Sequence, residues 1–346
     1  MPGTEHLAHS DLSKIIFLLL LFSFNLSAQK FPDDKVDSLL RSGIKQLVLQ
    51  DFESAKITFH DLNDDYPKMP AGKIYLAAAL IAESYDKAEE YDLDLINDYL
   101  KSAILQSEKL LEKNPDNIWY NYFLALAKGY YAYYQALNGN WLSALSDGLS
   151  AISDFEKCLK INPDFYEAYT AIGTYQYWKS RKTEFLHWLP FIDDNREAGI
   201  KLLEKSISRS RYNYFLGIYS LQWIYIDAGY PQKAIKISEQ TLQEFSGSRF
   251  FKWGYARAMQ EVDLYKAIDI YIEILNSYPV DNNHYNEIFL KHLIAQFYVK
   301  LGEYKKAMKL CDEILAINDI DDYVKEMLGD RLNRVRTLRQ ELTACK

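Results

Sequence analysis

An all-α solenoid of about seven stacked helix pairs is predicted by three features of the chain. Four segments recur in register at a spacing of 48 residues: ESAKITFHDLNDDYP, LKSAILQSEKLLEKNP, GLSAISDFEKCLKINP and NREAGIKLLEKSISRSR, anchored on Ala55, Ala103, Ala151 and Gly199. A fixed period of this kind marks repeats that bury their apolar faces against one another. Breakers are scarce, with 14 Gly and 9 Pro in 346 residues, which favours long helices over many short strands. Hydrophobic residues at 49% and charged residues at 25% belong to a folded chain.

The chain begins with a processing signal. Ile15 to Phe24 reads IIFLLLLFSF behind Lys14, and NLSAQK follows with the small residue Ala28 at the cleavage position. This is the layout of a secretory signal peptide over residues 1–28, and it is shorter than the roughly 20 apolar residues of a membrane span. Glu5 and Asp11 dilute the positive charge expected ahead of it. No later stretch of the sequence reads as a span. The repeat array is therefore expected over 29–320, with a C-terminal capping helix and tail over 321–346, in a periplasmic or extracellular setting that includes the face of an outer membrane.

Within each copy the offsets carry the geometry. Ala55 is followed by Phe59, Leu62 and Pro67; Ala103 by Ser107, Leu110 and Pro115; Ala151 by Phe155, Cys158 and Pro163; Gly199 by Leu203, Ser206 and Arg211. Steps of four and seven put these side chains on one helix face, and the small anchor lets a partner helix come close. Proline then stops the helix in the first three copies. Shorter-spaced copies follow at Ala234, Ala267 and Ala307. The long spacing of the first four units is read as lengthened helices: a stretch from Asn117 to Leu137, a turn at Asn138-Gly139-Asn140, then Trp141 to Ile161.

The last copy, YVKLGEYKKAMKLCDEILAIND, resembles the tetratricopeptide repeat, whose unit is a helix pair of about 34 residues. Gly43, Phe52, Ala55, Phe59 and Pro67 fit the same pattern in the first copy, and Gly173 fits the small position of a first helix. The resemblance covers residues 36–320 and implies a scaffold in which first helices line a concave groove. The stretch from GTYQYWKS through the aromatic insert to the acidic NREAG start also resembles, more locally, the inclusion-body-clearance family of helical repeat proteins, again a scaffold.

The fourth copy departs from the rule. Its insert at 183–192 holds Phe185, Trp188, Leu189, Pro190 and Phe191, and Asp193 or Asp194 is placed to cap the next helix, with Glu197 in its first turn. At the C-terminus Val324, Leu328, Leu332, Val335, Leu338 and Leu342 form one apolar stripe, expected on a single capping helix that Gly329 weakens.

Chemistry-bearing motifs are missing: there is no H-E-x-x-H, P-loop, G-x-S-x-G or G-x-G-x-x-G, and the six histidines are scattered. Asp61, Asp64 and Asp65, and Asp319, Asp321 and Asp322, lack the spacing of a calcium loop and read as solvated turns. Cys158, Cys311 and Cys345 fit neither a zinc site nor a disulfide framework. A net charge of −8 without a basic run argues against nucleic acid. The chain thus reads as a non-enzyme with no cofactor and no metal. Its most informative surface feature is aromatic: 28 Tyr, 17 Phe and 6 Trp, crowded into first helices. Trp119, Tyr122, Tyr177, Trp178, Trp188, Tyr219 and Trp223 are the candidates for lining a groove that holds a protein or peptide, against the alternative that such rings fill the core. A second function class is a small-molecule or lipid-binding accessory of a transport system, with the insert as pocket wall or membrane-touching lip. A deep apolar cavity containing Phe185, Trp188 and Phe191 would mark it.

Overall fold

The computed structural model describes residues 29–186, 193–279 and 284–344. The segment 1–28, the insert residues Trp188, Pro190 and Phe191, and Cys345 lie outside them. The described residues form seven consecutive helix pairs: α1 (Asp34–Val48) with α2 (Phe52–Asp65), α3 (Ala71–Lys87) with α4 (Leu93–Lys113), α5 (Ile118–Leu137) with α6 (Trp141–Ile161), α7 (Glu167–Lys182) with α8 (Arg196–Arg209), α9 (Tyr214–Asp227) with α10 (Pro231–Glu244), α11 (Arg249–Met259) with α12 (Leu264–Asn276), and α13 (Tyr285–Lys300) with α14 (Tyr304–Leu315). Short helices α15 (Asp322–Leu328) and α16 (Arg331–Ala344) close the C-terminal end. Many starts are capped in the ordinary way. Asp33, Asp51, Asp92, Asn117, Asp263 and Asp321 each accept hydrogen bonds from free first-turn amides.

Each second helix carries its predicted anchor inside. Ala55, Ala103, Ala151, Gly199, Ala234, Ala267 and Ala307 are all buried, and so are the residues four further on, from Phe59 to Cys311. Phe59 of the first pair stacks on Tyr75 of the second with ring centroids 5.1 Å apart. Gly43 makes room for that ring, since a Cβ there would stand 2.4 Å from it. Cys158, seven residues after Ala151, and Cys311, four after Ala307, are buried free thiols on the same helix face.

The added length is uneven. Helices α4 and α6 run 21 residues with the anchor in the eleventh place, whereas α2 and α8 run 14 with it in the fourth. Seven extra residues, about 10 Å of helix, thus precede the anchor in the second and third pairs. The third interval, from Ala151 to Gly199, reaches the same spacing with the insert between α7 and α8. The turn at Gly139, with φ +73°, joins α5 to α6 as expected. The expected single capping helix is corrected to two: Gly329 adopts φ +49° and breaks it, while Val324, Leu328, Val335 and Leu342 stay buried on one face.

Distant repeats also meet. Contacts are not confined to nearest neighbours, because the spiral closes on itself. Asp37 of α1 accepts a two-pronged pair from Arg211 at 2.5 and 2.7 Å, and the Tyr212 hydroxyl at 2.7 Å. The Ser248 hydroxyl donates to the Val48 carbonyl at 2.6 Å, and the Arg249 amide to the Gln50 side chain at 2.8 Å. Asp86, at the end of α3, holds the Arg249 guanidinium at 2.6 and 3.1 Å, and its carbonyl accepts from Asn286 at 2.9 Å. Val48 shares an apolar cluster with Ile218, Phe245 and Phe251. The C-terminal end of α3 therefore meets the N-terminal ends of α11 and α13, the offset of a rising spiral.

The C-terminal cap carries a pH-sensitive contact. His292 on α13 is buried, and Arg331 of α16 points its guanidinium at His292 Nδ1, 3.2 Å away. Burial, then the charges of Arg331 and Arg334, lower its pKa to about 4. A depressed histidine pKa gives stability that is complete above the unfolded value near 6.5 and is lost as pH falls toward 4, because only the unfolded chain takes up the proton there. We expect a loss of about 3 kcal/mol at pH 4 from this group. Denaturant melts of the wild type and His292→Gln, at pH 7 and pH 4.5, check it. Equal pH sensitivity in the two proteins would count against the assignment.

Candidate functional site: a tyrosine-rich inner face

Because the first helices of distant pairs meet, they turn inward, and their aromatic residues divide into two groups. The first group is core. Trp119, in the first turn of α5, is the hub of an aromatic cluster, with ring centroids 5.1 Å from Phe165, 5.3 Å from Phe31, 5.7 Å from Tyr212 and 5.9 Å from Tyr122. Tyr122 lies between Phe155 and Phe165 and is buried. Tyr177 is buried as well, its hydroxyl donating to Asp227 at 2.7 Å. The groove-lining expectation for Trp119, Tyr122 and Tyr177 is therefore corrected: they hold pairs together. Trp178 is half-buried, edge-on to Tyr177 at 5.2 Å. Trp188 falls outside the described residues.

The polar centre of this core is Glu167, fully buried in the first turn of α7. It accepts backbone amides from Arg211, Tyr212 and Asn213, the last at 2.8 Å, while Asn213 also donates to the Tyr122 hydroxyl at 3.1 Å. Burial pushes this carboxyl up to about 7, against the three amides, which favour the charged form. The network fixes the α8–α9 turn against α7 and so sets where α9 stands. Its role is structural.

The second group faces the interior of the spiral. Tyr219 of α9 stacks on Phe250 of α11 at 4.3 Å and meets Trp223 edge-on at 6.2 Å; Tyr219 and Trp223 are half-buried. Tyr85 at the end of α3 is 67% exposed and Tyr133 on α5 41% exposed. Yet burial by the surrounding protein raises the Tyr85 hydroxyl above the usual tyrosine value, with Tyr133 and Tyr285 adding to the shift. Burial likewise takes Tyr219 up to about 12, with Tyr85 and Tyr133 contributing. Tyr91, raised by burial, neighbours Tyr133, Tyr323 and Tyr85. Tyr323 donates to the Glu89 carbonyl at 3.2 Å, joining the α3–α4 linker to the cap. Tyr85, Tyr91, Tyr219 and Tyr323, all raised above the usual tyrosine value, keep their protons at neutral pH, and their hydroxyls can donate or accept hydrogen bonds.

Of the sequence candidates, Tyr219 and Trp223 thus belong to this inner face. Tyr85, Tyr91, Tyr133 and Tyr323 were missed as site residues. The YYAYY run holding Tyr133 was a usable signal; Tyr85 had none, because only closure of the spiral brings it inside.

Beside the insert, Tyr177, Arg181, Glu184, Asp194, Arg196 and Asp227 line a polar cleft of about 500 Å³. Its charges are satisfied internally, Arg181 by Asp227 and Glu184 at 2.9 and 2.6 Å and Arg196 by Asp194 at 2.5 Å. Asp194 also accepts the Arg196 amide at 3.0 Å, close to the capping role expected of it. Phe185 is 73% exposed on a short 3-10 turn. Among the described residues no three His, Cys, Asp or Glu side chains gather as a metal site, and no helix is long and apolar enough to cross a membrane.

Comparison with known proteins agrees with this architecture. Residues 290–321, spanning most of the seventh pair, match the tetratricopeptide repeat family model. No curated protein matches the sequence. Among solved structures, a chain of the APC/C hetero-tetramer Cut9–Hcn1 is similar at a TM-score of 0.51 and 13% identity, over 99% of this chain and 60% of that one. A tetratricopeptide repeat protein from Parabacteroides merdae is similar at 0.39 and 13%, over 90% and 100% of the two chains. YrrB, a repeat protein with an unusual peptide-binding site, is similar at 0.41 and 15%, over 64% and 96%. The described residues thus form an all-helical solenoid of stacked helix pairs, in which residues 290–321 match a tetratricopeptide repeat.

Proposed function

We propose that this protein is an exported, non-catalytic scaffold whose tyrosine-rich inner face binds an extended segment of a protein partner in the cell envelope. The observation that carries the reading is the exposure of Tyr85 and Tyr133, 67% and 41%, together with the half-buried Tyr219 stacked on Phe250: aromatic rings on first helices left open to solvent. Rigid aromatic side chains with polar tips serve as binding anchors in such settings. The apolar run at 15–24 and the small residues after it support export. The small-molecule alternative draws no support from the described residues, where the cleft beside the insert is polar and Phe185 projects outward.

The test is capture from an envelope fraction by the mature chain and by the double variant Tyr85→Ala, Tyr133→Ala. Both positions are exposed, so the melting midpoint should hold while captured partner falls about tenfold or more. Undiminished capture by the variant would sink the inner face as the binding surface.

A further inference from the structure

We infer that the first two turns of α6, at the uncharged tip of the α5–α6 hairpin, dock on a lipid bilayer surface through Trp141, Leu142, Leu145 and Leu149. The sequence at this tip is free of charge. From Gly129 to Ser146, eighteen residues between Lys128 and Asp147, it holds no Asp, Glu, Lys or Arg, in a chain where charged residues make up 25%. The run covers the second half of α5, the turn at Asn138-Gly139-Asn140 and the start of α6. Its large side chains on α6 stay in water: Trp141 is 70% exposed, Leu142 86% and Leu145 61%, and Leu149 beyond it is 46% exposed. Steps of three and four put the three leucines on one helix face. The repeat itself supplies a control. Forty-eight residues earlier, the equivalents of Leu142, Leu145 and Leu149 are Asp94, Asn97 and Lys101 of α4. Packing within the array is thus compatible with a polar face at these places, and α6 departs from it three times. A contiguous exposed apolar patch marks a surface that another body covers. The array leaves it open because α6 begins ten residues before its anchor Ala151, whereas α8 begins three before Gly199. Trp141, Leu142 and Leu145 therefore have no counterpart in α8 to pack against.

Exposure and charge select the occupant. A leucine 86% open to water stands on a convex tip, and a protein partner needs a pocket shaped for it. A second copy is disfavoured by length. Leu142 to Leu149 is about two helical turns, against the three to four heptads that sustain a seam between helices. Protein interfaces also carry a charged rim that fixes their register. Here Lys128, at the base of the run, is already held by Asp154 at 2.6 Å, and the run itself offers no ion to a partner. A bilayer asks for neither pocket nor ion pair. Its boundary layer accepts tryptophan and leucine and penalises charge, which is the composition of this tip. The surface it fits is zwitterionic. With no basic flank and a net charge of −8, the chain gains nothing from anionic lipid. This contact lies on a second helix and stands apart from the inner face, so a partner held there and a membrane touched here are compatible.

The experiment is flotation of the full mature chain with phosphatidylcholine vesicles, at low and at high salt. The protein should float with the vesicles at both, because binding through apolar area is not screened. The double variant Leu142→Glu, Leu145→Glu should lower the bound fraction about tenfold or more, and Trp141→Ser alone about tenfold. These side chains are exposed, so the melting midpoints should hold; if the double variant melts early, Trp141→Ser decides. Lys101→Glu, on the equivalent face of α4, should float like the wild type. Absence of flotation, or equal flotation by the variants at position 141 or at 142 and 145, overturns the assignment. If the wild type instead self-associates in light scattering, and the double variant is monomeric with no vesicle binding in either protein, a second copy covers the tip and the lipid assignment fails. Capture of a partner by the inner face should be unchanged in the double variant, so the two readings stand or fall separately.

Discussion

Replacing Arg249 with alanine should destabilise the protein by about 3–5 kcal/mol and broaden its unfolding. Arg249 and Asp86 are both mostly buried, with side chains 13% and 12% exposed. Removing the guanidinium leaves the Asp86 carboxylate enclosed without its partner, and that stranded charge accounts for most of the cost. Two further contacts go with it: the stacking of Arg249 over the Tyr278 ring at 4.5 Å and its hydrogen bond to the Ser277 carbonyl at 3.0 Å. The change in cooperativity follows from topology. A repeat array held only by neighbours unfolds by independent stretches, whereas one whose second and sixth pairs are tied together must lose both at once. Urea unfolding checks both effects. The variant should show a lower midpoint and a shallower slope, the sign of separate transitions. A loss below about 1 kcal/mol, the value of an exposed ion pair, would mean that closure does not hold the array.

How much of this was legible beforehand differs from element to element. The period and its anchors were written locally: Ala55, Ala103, Ala151 and Gly199 occupy equivalent places because each meets the same kind of neighbour, and all are buried. Turn and helix bounds from Asn117 to Ile161 were equally readable, since Asn138-Gly139-Asn140 separates two breaker-poor stretches. Closure was not. The pairing of Asp86 with Arg249 spans 163 positions and leaves no periodic trace, and neither residue stands out in its own helix. The site suffered from the same gap. Counting rings in first helices finds Trp119 and Tyr122 as readily as Tyr133, because the start of α5 is packed by Phe31, Phe155 and Phe165 while its far end reaches the inner face. Ring density measures both core and groove. Only the fold of the distant repeats separates them, and it is this fold that places Tyr85 beside Tyr219.

The fourth anchor makes the sharpest remaining test of the repeat logic. Ala serves at six of the seven anchors, so Gly199→Ala looks like a change toward the consensus, and in an isolated helix it would stabilise by about 1 kcal/mol. The structure demands the opposite sign. A Cβ at Gly199 would stand 2.6 Å from the Gly173 carbonyl oxygen and 2.9 Å from the Tyr177 amide nitrogen, and one at Gly173 would stand 2.7 Å from the Gly199 carbonyl. These neighbours are backbone, so no rotamer change relieves the clash, and α7 and α8 must move apart. Their separation loosens Tyr177 and Leu203, which pack together at this seam. We expect Gly199→Ala to cost about 3 kcal/mol net, with Gly199→Val worse. Gly148, on α6, supplies the control: a Cβ there meets only Ala132 at 3.8 Å, so Gly148→Ala should be neutral or stabilising. Thermal melts of the two alanine variants decide the matter. If Gly199→Ala proves as benign as Gly148→Ala, the tight α7–α8 approach is not what fixes the fourth pair, and the glycine there is an accident of sequence.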